Sequence, residues 1–122
     1  MSLNEEITKR SKDRDNVILS LKQYSNILEE KLGKTTLILF GSYARGDFNL
    51  WSDVDIIIIS DYFKNIRFID RPFKLPELYK NISYADIICW DLEEAEKMPS
   101  KNSWKFALKN AIIIKNDYNI IT

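Results

Sequence analysis

Two aspartates, Asp53 and Asp55, stand at alternate positions where the apolar run Ile56-Ile57-Ile58-Ile59 begins. Side chains of an extended strand alternate between faces, so both carboxylates fall on one side and Val54, Ile56 and Ile58 on the other. Upstream, Gly41-Ser42-Tyr43-Ala44-Arg45-Gly46 leaves a second apolar stretch, Leu37 to Phe40. Glycine at position 41 lets the backbone approach a ligand closely, and the residues after it offer the free N–H donors of a helix start. Paired carboxylates suit hard divalent cations, whereas those donors, the Ser42 hydroxyl and the forked Arg45 guanidinium suit phosphate oxygens. A nucleoside triphosphate can lie beside two carboxylates only with cations between them. The expected chemistry is therefore that of a triphosphate, with one or two Mg²⁺ ions held by Asp53 and Asp55. Asp86, ahead of Ile87-Ile88-Cys89, can complete the set as a third metal ligand and take the proton from an attacking hydroxyl.

Other chemistries are excluded by what the chain lacks. It has no His and a single Cys89, which removes Ser-His-Asp schemes, thiol–imidazole pairs, His-containing zinc sites and any internal disulfide. No G-x-x-x-x-G-K-[ST] loop and no acidic loop of EF-hand spacing is present. Eighteen basic residues balance eighteen acidic ones, so direct nucleic-acid binding is not expected. A basic patch of Lys9, Arg10, Lys12 and Arg14 reads as a solvated helix face. No stretch is long and apolar enough to span a bilayer and the N-terminus is polar, so a cytoplasmic protein with no membrane partner is expected.

The elements that must position these residues follow from periodicity. Val17, Ile18, Leu21, Tyr24, Leu28 and Leu32 recur at helical spacing, predicting a long helix from about Asn4 to Leu32 that stops at Gly33. Strands are expected over Thr35 to Phe40, Asp53 to Ser60 and Ser83 to Trp90, the second of them interior. A short helical turn through Arg45, capped by Ser42, separates the first two. Asp91 and Glu94 have capping-box spacing for a helix closed by Pro99; Ser103 caps a further helix through Leu108, ahead of the apolar run Ala111 to Ile114. Pro76 to Lys80 reads as one helical turn. The fold class expected is α/β (α+β): a single domain over residues 1–122, a small mixed sheet covered by helices on one face.

The order Gly41-Ser42, ten intervening residues, then Asp53-Val54-Asp55 resembles the signature of the DNA polymerase β-like nucleotidyltransferase superfamily. Its form here looks most like the minimal nucleotidyltransferases of that superfamily. The resemblance spans roughly Leu37 to Cys89. It implies Asp53, Asp55 and Asp86 as catalytic metal ligands and Gly41 and Ser42 as the triphosphate holders. It further implies transfer of a nucleoside monophosphate, often AMP from ATP, with release of pyrophosphate. Many such minimal proteins stand beside a helical HEPN-type toxin and act as its antitoxin, in some cases by adding AMP to it. A one-domain chain lacks a module to hold the acceptor, so a protein partner or a second copy is expected to complete the site. Trp104, Phe106, Tyr118 and Ile120-Ile121 are the docking candidates, Tyr118 and the two isoleucines ahead of the others. Two other readings stand beside it. One is transfer to a small hydroxyl compound such as an aminoglycoside; the other is a binding module that neutralises its partner by occlusion.

Overall fold

In the computed structural model the described residues are 2–49, 52–78, 82 and 84–120. The periodic N-terminal segment forms a helix, α1 (Leu3–Leu32), which buries Val17, Leu21, Tyr24 and Leu28 and ends where the Gly33 N–H donates to Glu29 O. The apolar runs become strands β1 (Thr36–Phe40) and β2 (Val54–Ile59), with the short helix α2 (Gly41–Arg45) between them. Strand β3 (Ala85–Trp90), helices α3 (Leu92–Lys97) and α4 (Asn102–Ala107) and strand β4 (Ile112–Asn116) complete the chain.

The sheet order is β3-β2-β1-β4; β1 runs antiparallel to β2 and β4, and β2 runs parallel to β3. This is the mixed sheet expected, with β2 inside it. The helical covering differs from expectation, because strand alternation creates two apolar faces and both are occupied. Leu37, Leu39, Val54, Ile56 and Ile58 pack under α1, whereas Ile38, Phe40, Ile57, Ile59 and Trp90 pack under Ala95 of α3 and Trp104 and Leu108 around α4.

Two local expectations move. Helix α2 begins at Gly41, with Phe40 as its flanking residue, so Ser42 lies inside the helix and does not cap it. Helix α4 likewise starts at Asn102, one residue ahead of Ser103. The Asp91–Glu94 capping box forms in full, and Pro99 sits in a 3₁₀ turn, Met98–Ser100, that follows α3. The connection from β2 to β3 carries 3₁₀ turns at Asp61–Phe63 and Phe68–Lys74. The helical turn expected over Pro76 to Lys80 is absent from residues 76–78, and positions 79 and 80 lie outside the described residues.

That connection is fastened by a buried cation, Arg71, only 5% exposed. Its guanidinium donates to Ile66 O, Cys89 O and Glu94 Oε1 at 2.9, 2.9 and 2.6 Å and lies over the Phe63 and Phe68 rings. A buried charge is tolerated when its donors are satisfied; here the bonds to Cys89 and Glu94 tie the connection to β3 and α3, and the bond to Ile66 closes it on itself.

Candidate active site

The carboxylates gather at one end of the sheet. Register pairs Phe40 with Asp55 across β1 and β2, and Asp55 with Asp86 across β2 and β3. Neighbouring strands lie about 4.8 Å apart, so Asp55 and Asp86 project side by side from one face. It is the face that carries Ile57, Ile88 and Trp90 further along the strands. Asp53 precedes β2 and is exposed, as is Asp86, whereas Asp55 is half-buried.

Burial raises the pKa of the Asp55 carboxyl, and the charges of Asp86 and then Asp53 raise it further, against a smaller lowering by Arg45. Two neighbouring carboxylates are therefore felt at Asp55, and a cation beside it would relieve that repulsion.

Gly41 brings the turn onto this cluster. Its φ is +73°, and a Cβ there would run into the Asp55 carboxylate, with Cγ at 3.1 Å. Absence of a side chain is what lets the start of α2 and the carboxylate occupy adjacent space. Half-buried Ser42 follows, and Arg45, at the other end of α2, pairs with Asp47 at 3.2 Å. Gly46, at φ +88°, closes the helix, its N–H donating to Ser42 O.

Oxygen donors of this kind fit Mg²⁺. Among the described residues no three His, Cys, Asp or Glu side chains converge as a ready-made metal cage. Mg²⁺ commonly takes one or two protein carboxylates and completes its octahedron with water and phosphate oxygens, so the cluster suits an ion that arrives with a triphosphate. A cavity of about 340 Å³ adjoins the cluster, lined by Phe40, Asp86, Ile88, Trp104 and Ala107.

The expected residues Gly41, Ser42, Asp53, Asp55 and Asp86 thus lie at one end of the sheet, with Arg45 a helical turn away. Others were not singled out by sequence. Arg14, read as part of a solvated basic face, is half-buried and donates to Tyr43 O and Ala44 O at 3.0 and 2.8 Å. Trp104 contributes edge-to-face contacts with Phe40 and Trp90 at centroid separations of 5.7 and 4.8 Å, so it belongs to the core. Docking candidates reverse as well. Phe106 is 79% exposed, whereas the Tyr118 hydroxyl accepts from Asp61 N and donates to Lys34 O. Ile120 packs against the core, and Ile121 lies outside the described residues.

A mixed sheet with carboxylates on adjacent strands and a glycine-serine turn laid beside them makes this an α/β domain. The chain belongs to the nucleotidyltransferase domain family, whose model matches residues 21–116. As an enzyme it is a nucleotidyltransferase. Two proteins of Methanocaldococcus jannaschii that bear the name "Putative protein adenylyltransferase" are similar in sequence. One is 40% identical over 58 residues, covering 48% of this chain and 57% of that protein; the other is 33% identical over 90 residues, covering 71% and 83%. The chain therefore spans little more than half the length of the first. A crystal structure from Sulfolobus solfataricus, titled as a "putative nucleotidyltransferase", shares the fold. Its TM-score is 0.62 at 19% identity, over 85% of this chain and 84% of that one. Among the described residues no helix is long and apolar enough to cross a membrane.

Proposed function

We propose that this domain transfers AMP from ATP, with Mg²⁺, to a hydroxyl of a protein acceptor. The observation that carries the proposal is the register of Asp55 beside Asp86 with Gly41 laid against the Asp55 carboxylate. Gly41, Ser42 and Arg45 hold the triphosphate through backbone N–H groups, a hydroxyl and a guanidinium. Asp53, Asp55 and Asp86 are the residues that would hold Mg²⁺, which supplies charge neutralisation at the phosphates when bound. The acceptor oxygen attacks the α-phosphorus, a new P–O bond forms, the bond to the β-phosphate oxygen breaks, and pyrophosphate leaves with its electron pair. Asp86, the most peripheral of the three in the sheet, takes the acceptor's proton. The relatives' names support a protein acceptor. The acceptor in this reading is a HEPN-type toxin for which the chain is the antitoxin, a pairing suggested by the resemblance of the Gly41 to Asp55 motif.

The test incubates the protein with α-labelled ATP, Mg²⁺ and a HEPN-type protein as the acceptor. Label is expected on the second protein with wild type and not with Asp53→Asn. Label that never appears, or appears equally with the variant, would overturn the assignment.

A further inference from the structure

We infer that Arg14 is a positioning residue for nucleotide binding: from α1 it sets the orientation of α2, and with it the Gly41–Ser42 turn. The inference rests on the triphosphate role proposed above for that turn.

Helix α2 is only five residues long. A helix leaves its last carbonyls without intrahelical partners, and one this short has almost no length over which its own bonds fix its axis. Its carbonyls can be followed one by one. Ser42 O accepts from the N–H groups of Gly46 and Asp47 at 2.8 and 3.1 Å. Tyr43 O and Ala44 O accept from Arg14 Nε and Nη2, at 3.0 and 2.8 Å. Arg14 thus supplies, from a residue far back in the chain, two donors that α2 cannot supply itself. Its charge also sits at the helix end where a cation is favoured.

The flanks of α2 restrict it further. Tyr43 stacks on Phe48 with ring centroids 4.0 Å apart and planes 9° apart, and Phe48 is buried. At the other end, Gly41 abuts Asp55. The helix is therefore held at its start by contact with a carboxylate and at its finish by a forked guanidinium. Arg14 is itself rigidly mounted, because Val17 and Leu21, one and two turns on, are buried beneath the sheet. Losing the fork would free α2 to swing about the Phe40–Gly41 junction, and the turn that meets phosphate would move with it.

The test measures ATP affinity by calorimetry, with Mg²⁺ present, for wild type, Arg14→Gln, Arg14→Lys and Tyr24→Phe. Tyr24→Phe serves as the purely structural control, since it removes a 2.6 Å bond to Pro76 O on a different part of α1. Arg14→Gln is expected to weaken ATP binding by about tenfold or more, the scale of a lost charge-assisted hydrogen bond. Arg14→Lys, able to reach one carbonyl, should recover part of it, while Tyr24→Phe melts lower and binds ATP as wild type does. If Arg14→Gln does not fold, Arg14→Lys alone decides, being expected to bind ATP more weakly than wild type. Wild-type affinity in the folded Arg14 variants would overturn the inference and leave the triphosphate reading intact. A wild-type protein that binds no ATP would overturn both.

Discussion

At Asp55, lost hydration and the charges of Asp86 and Asp53 act in the same direction, and Arg45 offsets them only in part. A carboxyl whose pKa is raised on folding makes the native state less stable as pH climbs past the ordinary carboxyl range. Asp55→Asn should therefore melt no lower than wild type near neutral pH while losing nucleotide transfer; a clear fall in melting temperature would contradict the repulsion described here. Gly41 answers to a different force. Gly41→Ala places a Cβ at positive φ against the Asp55 carboxylate, with an expected cost of roughly 1–3 kcal/mol, and should weaken ATP binding more than Ser42→Ala, a loss of about 0.5–1.5 kcal/mol. Chemical denaturation and calorimetry read both. Cys89 provides a pH signature away from the site. Burial pushes its thiol from 9.0 up to about 12 against a lowering by Arg71, so the native protein keeps it protonated. Its contribution to stability is whole below pH 9 and is lost as pH rises from there towards 12; alkylation at pH 8 should proceed only after unfolding.

Among the elements, those with regular periodicity were legible in the sequence. The three- and four-residue spacing from Val17 to Leu32 forecast α1, and the β-branched runs forecast β1 and β2. The paired aspartates and the glycine-serine turn were readable because their chemistry depends on close spacing. The connection between β2 and β3 was not, since 3₁₀ turns leave no periodic apolar trace and the connection is held by one buried cation reaching across the chain. Caps made α3 and α4 legible, but not that they cover the second face, because both are too short for their apolar positions to repeat. Arg71→Ala tests the fastening. It strips Glu94 and two carbonyls of their donor, and since Glu94 is partly solvated the expected destabilisation is about 2–3 kcal/mol, measured by urea unfolding.

Among the described residues, large exposed apolar side chains lie at Phe106, one of the C-terminal residues first expected to dock a partner, and on two other parts of the molecule. Leu3 and Ile7 on the leading turns of α1 are 71% and 55% exposed, and Ile69 and Phe73 on the β2–β3 connection 71% and 85%. A protein acceptor should form a complex of defined mass with this chain in light scattering. A strict monomer that modifies a small hydroxyl compound unaided would sink the protein-acceptor reading.

The parallel pairing of β2 with β3 also governs when the site comes into being. Antiparallel β1 and β2 meet through a short excursion, but Asp86 reaches Asp55 only after the chain from Ser60 to Tyr84 has looped back, with only 3₁₀ turns among its described residues to shorten the search. Closing such a loop loses chain entropy before any pairing repays it, and non-local strand pairing is slow for that reason. Refolding should consequently restore helical circular dichroism first and ATP binding last. A nascent chain would carry its Gly41–Ser42 turn well before Asp86 stands beside Asp55.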